Sequence, residues 1–416
     1  MAEITASASR FAADGDEVFF REREQGRRCG KQRSLARATT LAELLDIPRG
    51  TDRVTSDITV VGSKGKGTAA TFAAATLAAA GLRVGLLTSP GFRTNRERIR
   101  IDGHAIDPSQ YGELVHRVTD ALEKLDVSPS ADDGYLAPTG IFTIAAVRHF
   151  IDAQCDAIVL EAGMGGGHDE VSLFPARVVA CSPIFGEHLG VLGDTVGDIA
   201  REKLGIVTDS TRALLIVRQY DPEAAMVLHE TREAPLTVVT DAPVSCTTWP
   251  PAPITDNAWL GVAAGLQALS LRGLMVDASL LQRTLATVHL PGRLSIHERR
   301  SQRWLVDAAS NQYAVTRALA YADAQWNGID TVVPCIPDGK DVAGVQAALA
   351  DANCIPVRTD APHLTFHAWE RALPSLSQLD VDSLGDPVVA VGTVHFVGDV
   401  LELLDVPTEN AFTVVA

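Results

Sequence analysis

Between residues 62 and 68 the chain reads Gly-Ser-Lys-Gly-Lys-Gly-Thr. The stretch follows a short β-branched run, "DITVVG", and opens an Ala-rich run, "GTAATFAAATLAAAG". A Gly-rich turn between a buried strand and a helix points several backbone N–H groups in one direction. The helix N-terminus adds about half a unit of positive charge there. Lys66 supplies a point charge, and the Thr68 hydroxyl can reach a metal ion. Together, Gly62, Ser63, Lys64, Gly65, Lys66, Gly67 and Thr68 read as a cradle for a polyphosphate. The pattern departs from strict G-x-x-x-x-G-K-[ST], because Gly67 separates the lysine from the hydroxyl. A plain β-to-α turn needs one or two glycines, not three with two lysines. On this loop alone, a kinase or a GTPase fits as well as any other user of a nucleoside triphosphate.

Three more blocks carry chemistry. "TSPGFRTNRERIRIDG" offers Ser89, just before Pro90. "VLEAGMGGGHDE" places Glu161 at the end of the apolar run "CDAIVL", and a carboxylate at the tip of a buried parallel strand faces the ligand crevice. "FGEHLGVLGDTVGDIAREKLGIV" offers His188 and Lys203. In this order and spacing the blocks resemble the folylpolyglutamate synthase branch of the Mur ligases. The resemblance continues through "LPGRLSI", "LVDAASNQYA", "PDGKDVAGV" and "VAVGTVHFVGDVLELL", and so runs from about Leu35 to about Leu404.

That resemblance implies an ATP-dependent ligase that joins a carboxylic acid to an amine or amino acid. The acid is phosphorylated, the amine attacks the acyl phosphate, and an amide, ADP and phosphate result, with ATP held between two domains. It implies two Mg²⁺ ions, with Thr68, Ser89 and Glu161 at the first and His188 near the second. It implies that Lys203 is carbamylated by CO₂, becoming an anion that binds Mg²⁺. Asn257 in "TDNAWL" corresponds to an adenine-contacting residue, Arg293 to the arginine of "PGR", and Asp307 and Asn311 to the nucleotide-side block of the second domain. The chemistry itself asks for such parts, since divalent cations and a lysine must neutralise the γ-phosphate and the attacking carboxylate.

These residues need a scaffold. Mostly apolar strand runs alternate with helices, the signature of parallel strands covered on both faces. The sequence predicts an irregular lead over residues 1–34, with "EREQGRRCGKQR" as a solvated segment. It predicts an ATP-binding α/β domain with a mostly parallel sheet over 35–290 and a smaller Rossmann-like α/β domain over 291–416, the boundary falling at Pro291 and Gly292. Strands are expected at "DITVVG", "LRVGLLTSP", "CDAIVLEAG", "ARVVACSPI", "RALLIVRQ" and "LTVVT". Beyond the boundary they are expected at "RWLVDAAS", "DTVVPCIP", "CIPVRT" and "PVVAVG".

Bulk properties agree with this class. The 416 residues are too many for one ordinary core. Apolar residues make up 46 % and charged residues 21 %, as in ordinary globular proteins. The net charge of −16 argues against nucleic acid or an anionic membrane as partner, because both need a basic footprint. The six cysteines lack CxxC spacing; several sit inside strand-like apolar runs and read there as small buried hydrophobes, and a reducing cytoplasm fits. No apolar leader opens the chain and no stretch reaches membrane-spanning length. A monomer or small homo-oligomer acting on small molecules is the expectation.

Several positions depart from the family pattern. Gly91 stands where it has the histidine of "SPH", Gly167 where it has the arginine of "GGRLDATN", and Ser310 where it has the histidine of "DGAHNP". These positions lie mostly on the acceptor side or contact phosphates from the second domain. They lead to the expectation of a non-folate acid. A housekeeping folylpolyglutamate or dihydrofolate synthase, and a non-catalytic ATP-binding partner subunit, are the alternatives.

Overall fold

The computed structural model describes residues 15–22, 33–50, 54–125, 134–231, 233–246, 248–252, 254–361, 364–369 and 373–415. They form two compact units. The larger takes the described parts of Asp14–Ser89, Arg96–His289 and Glu409–Ala416; the smaller takes Pro90–Asn95 and Leu290–Thr408.

The larger unit is built on an eight-stranded sheet, whose strands are β1 (Ser56–Val61), β2 (Val84–Leu87), β3 (Ile99–Ile101), β4 (His104–Ala105), β5 (Ala157–Glu161), β6 (Ala176–Cys181), β7 (Ala213–Val217) and β8 (Leu236–Val239). Their order is β4-β3-β2-β5-β1-β6-β7-β8. All pairings from β2 to β8 are parallel, while β2–β3 and β3–β4 are antiparallel. Strand β1 sits between β5 and β6; the chain leaves β1 toward β2 on one side and leaves β6 toward β7 on the other. Such a switch point opens a crevice beyond the carboxyl ends of the strands. The residues that follow β1, β5 and β6 converge there.

The helix Lys66–Ala79 is buried on nearly every side from Thr68 onward, which its alanines make possible. The helix Ile254–Leu271 lies against it at close range. A Cβ on Gly261 would clash with the Ala69 carbonyl, and one on Gly265 would sit 2.6 Å from the Thr76 Cβ. This tight crossing brings Asn257, on the first turn of the second helix, to the start of the first. No helix among the described residues is long and apolar enough to cross a membrane.

The smaller unit carries a four-stranded sheet in the order β11-β12-β10-β9. These strands are β9 (Ser295–Arg299), β10 (Gln302–Asp307), β11 (Thr331–Cys335) and β12 (Val388–Gly392). Only β9 runs antiparallel to its neighbour. Trp304, Val306, Val333, Val388, Phe396 and Val397 form its core.

Three features differ from expectation. Within residues 1–34, Asp16–Phe20 forms a short 3-10 helix whose Phe19 is buried and stacks on Phe142 with centroids 4.1 Å apart. Residues 23–32, most of the segment expected to be solvated, lie outside the described residues, but Glu22 and Arg33 at its ends are partnered. Residues 409–416, expected in the second domain, belong to the larger unit. Ala105 N–H donates to the Glu409 carbonyl and Ala411 N–H to that of Gly103, both at 2.8 Å, and Phe412 is buried. Finally, "CIPVRT" forms only isolated bridges, Cys354 with Val332 and Arg358 with Ser375.

Candidate active site

The Gly62–Thr68 loop joins β1 to the helix Lys66–Ala79. Gly62 has φ +130° and Gly65, the helix N-cap, has φ +87°. A Cβ on Gly62 would clash with the Ser182 hydroxyl, and one on Gly65 with the Asn257 side chain. Both glycines therefore meet a backbone and a steric demand at once. The loop is tied to the segment after β6: Ser63 N–H donates to the Pro183 carbonyl at 2.9 Å, and Phe185 N–H donates to Ser63 Oγ at 3.2 Å. Lys66 Nζ folds back on its own loop, donating to the Gly62 carbonyl at 3.0 Å. Lys64 is exposed and Thr68 is buried in the first helical turn.

Lys203 lies near the end of the helix Val196–Leu204 and its side chain is fully buried. Its Nζ donates to the Gly62 carbonyl at 2.9 Å and to the Met164 carbonyl at 2.8 Å, with Glu187 Oε1 at 3.4 Å. Burial and, second, the Lys66 charge push this ammonium down to about 8, with Glu187 opposing. A lysine so placed can give up its proton near neutral pH, which a solvated lysine does not do.

Glu161 ends β5 and is buried. Its Oε2 accepts the Ser89 N–H at 2.7 Å and lies 3.2 Å from where a Cβ on Gly67 would stand. The carboxylate thus sits beside both the first helical turn and Ser89. The Ser89 hydroxyl accepts from Arg98 Nη1 at 2.8 Å, and the Arg98 guanidinium lies over the Phe142 ring at 4.6 Å. Burial pushes Arg98 down to about 10, against the pull of nearby acids. The structure therefore brings Gly62–Thr68, Ser89, Glu161, Lys203 and Asn257 together in the larger unit. His188 follows Glu187 on the same segment, exposed and with φ +56°.

In the smaller unit, Arg293 and Asp307 occupy adjoining segments. The Arg293 guanidinium lies 5.2 Å over the Phe92 ring, and Asp307 Oδ2 accepts the Leu294 N–H at 2.7 Å. Asn311 caps the helix Gln312–Trp326, its Oδ1 accepting the Ala314 N–H at 2.9 Å. Its side-chain oxygen serves the helix end in this arrangement.

No family model matches the chain. Curated relatives do. The dihydrofolate synthase/folylpolyglutamate synthase of Mycobacterium tuberculosis strain H37Rv is 34 % identical over 179 residues, which is 42 % of this chain and 36 % of that protein. A probable bifunctional folylpolyglutamate synthase/dihydropteroate synthase of Halobacterium salinarum is 31 % identical over 327 residues, 72 % of this chain and 39 % of that one. These matches span less than two-fifths of the length of either relative. Among solved structures, M. tuberculosis folylpolyglutamate synthase complexed with ADP and AMPPCP superposes with a TM-score of 0.71 at 25 % identity, covering 89 % of this chain and 95 % of that one. The chain is thus similar to folylpolyglutamate synthases in sequence and in fold. The fold is also that of the apo form of L. casei FPGS, with a TM-score of 0.74, 22 % identity, and coverage of 90 % and 95 %.

Folylpolyglutamate synthase motifs did not single out every residue that shapes this site. Glu202 Oε1 accepts the His168 N–H at 2.9 Å and the Gly166 N–H at 3.3 Å, and its Oε2 meets His168 Nδ1 at 2.7 Å. The loop after β5 is thereby docked on the helix that carries Lys203. Gly166 and Gly167 allow that docking, since a Cβ on Gly166 would clash with the Lys203 carbonyl and one on Gly167 would stand 3.2 Å from the Gly205 Cα. Glu187 and Arg98 carry no motif of their own; in the sequence each is one more charged residue near His188 or Ser89.

Proposed function

We propose that the chain is an ATP- and Mg²⁺-dependent ligase that couples glutamate to a folate-type carboxylic acid, as a folylpolyglutamate or dihydrofolate synthase. The observation that carries this reading is the pair of lysines, Lys66 and Lys203, gathered on one carbonyl of a Gly-rich loop with Glu161 beside it. Such an array can bind a triphosphate and neutralise the charge that builds on phosphoryl transfer.

The names of the relatives support the rest. They are folylpolyglutamate and dihydrofolate synthases, and the matched structures include complexes with ADP, AMPPCP, folate and DHPP. The expectation of a non-folate acid has no such support. One of its arguments also weakens, because Gly167 packs against Gly205 and its lack of a side chain has a structural reason.

The residues present suit Mg²⁺. Glu161 offers a buried carboxylate, and Ser89 and Thr68 offer hydroxyls. Hard oxygen donors, few in number, match an ion that keeps waters and phosphate oxygens. Glu161, Ser89 and Thr68 would hold one ion and His188 would stand near a second; the ions supply charge neutralisation at the phosphates. The loop N–H groups and Lys66 bind and orient the phosphates. Asn257, Arg293, Asp307 and Asn311 are assigned to the nucleotide. Lys203, deprotonated and buried, is assigned to carbamylation by CO₂: its nitrogen forms the N–C bond and loses a proton.

The test is ADP release with ATP and Mg²⁺, read with the acid alone, the amine alone and both together. Release that needs both supports ligation. Release with a phosphorylated product and no amide would indicate a kinase, and none under any pairing would indicate a non-catalytic relative.

A further inference from the structure

We infer that Arg33 is a positioning residue: by clamping Asp169 and Glu170 it fixes the Met164 carbonyl that receives the Lys203 ammonium. Arg33 Nη1 lies 2.9 Å from Asp169 Oδ2 and 3.0 Å from Glu170 Oε2, and its Nη2 donates to Thr139 Oγ1 at 3.3 Å. Asp169 Oδ2 also accepts the Met164 N–H at 3.1 Å, and its Oδ1 accepts the Val171 N–H at 3.3 Å. Met164 then offers its carbonyl to Lys203 Nζ at 2.8 Å. One residue, Met164, thus links the clamp to the lysine through its own two peptide groups.

Both carboxylates have fully buried side chains, and that of Arg33 is 15 % exposed. Two buried carboxylates side by side repel, and a guanidinium fork holds both while a single point charge holds one well. The cluster is crowded. A Cβ on Gly140 would clash with the Glu170 carboxylate, and one on Gly163 would stand 2.9 Å from Thr139 Oγ1. The charged and titratable groups facing the cluster are Arg33, Asp169, Glu170 and, toward Arg33, the Tyr135 phenol. Burial and, second, the Asp169 charge push Glu170 up to about 7 even with Arg33 opposing. Without Arg33 nothing offsets the repulsion once Glu170 ionises beside Asp169, so the 162–171 segment would loosen as pH rises.

The experiment compares the full chain with Arg33→Met and with Arg33→Met/Glu170→Gln. Amide hydrogen exchange over residues 162–171 is read as protection factors at pH 6 and pH 8. In Arg33→Met, protection should fall at least about tenfold at pH 8 and much less at pH 6. Glu170→Gln in the same chain should restore it at pH 8. Unchanged protection in Arg33→Met overturns the inference; so does an equal loss at both pH values that the second change does not restore, the mark of plain structural damage. If Arg33→Met does not fold, Arg33→Lys with and without Glu170→Gln gives the same comparison, with the same two outcomes against the clamp. The link to catalysis rests on the ligase reading above. In an active chain, Arg33→Met should lower kcat at pH 8 and leave KM for ATP within about twofold. If the variants show the exchange pattern but the wild-type chain releases no ADP, the ligase reading falls and the clamp stands.

Discussion

The Lys66 and Lys203 ammonium groups donate to the same acceptor, the Gly62 carbonyl oxygen, at 3.0 and 2.9 Å. Two cations on one oxygen are a strain in the absence of anionic charge and an asset in its presence. Burial and, second, the Lys66 charge push Lys203 down to about 8.

Lys66→Ala should leave the fold intact and lower kcat by about 10²–10³, or roughly 3–4 kcal/mol, the size found when a positioned electrostatic donor is removed. Steady-state ADP release measures it. Turnover near wild type would contradict the assignment of the loop.

Glu161→Gln preserves size but removes charge from the acceptor of the Ser89 N–H. Activity should fall and the Mg²⁺ concentration for half-maximal rate should rise, with only partial recovery at high Mg²⁺. An unchanged Mg²⁺ titration would show that Glu161 is not a metal ligand.

Lys203 has a folded-state value of about 8 against 10.5 for a free side chain. Folding therefore favours its neutral form, and below pH 8 this costs about 3 kcal/mol at about 1.4 kcal/mol per unit. Between pH 8 and 10.5 the unfolded chain binds more protons, so stability relative to Lys203→Met should rise with pH in CO₂-free buffer. Denaturant midpoints across that range give the sign directly. A difference independent of pH would mean that Lys203 is not held down.

Carbamylation has its own signature. Stripping CO₂ and bicarbonate should lower activity, and bicarbonate should restore it. Lys203→Ala should be nearly inactive and partly rescued by acetate, whereas Lys203→Arg, a permanent cation in the same space, should not be rescued. Full activity of Lys203→Ala without added anion would remove this lysine from the site.

The turn at Gly62–Thr68 between strand and helix could be read from sequence because its demands are local: three glycines and two lysines stand within seven residues. Most of the parallel strands could be read because they are buried on both faces and so mostly apolar, as β1, β5 and β7 are. The hairpin of β3 and β4 could not, since three and two residues are too few to show alternation. Nor could the partners of Arg33, which stand 136 and 137 residues away, behind a segment whose own composition suggests only solvent. The tail around Phe412 pairs beside β4, where Asn410 bridges His104, far away in sequence, and no periodicity reports such a partner. The N-cap role of Asn311 was legible too, in its place just before a helical run.

The central claim is that this chain joins glutamate to a folate-type acid at the expense of ATP. The most direct measurement is mass spectrometry of a reaction containing the wild-type chain, ATP, Mg²⁺, bicarbonate, glutamate and either dihydropteroate or tetrahydrofolate. The account predicts a product heavier by one glutamyl residue, with ADP and phosphate formed in equal amount, and about 10²–10³-fold slower formation of these products by Lys66→Ala. ATP-dependent amide formation with a different acid, and none with either folate compound, would contradict it.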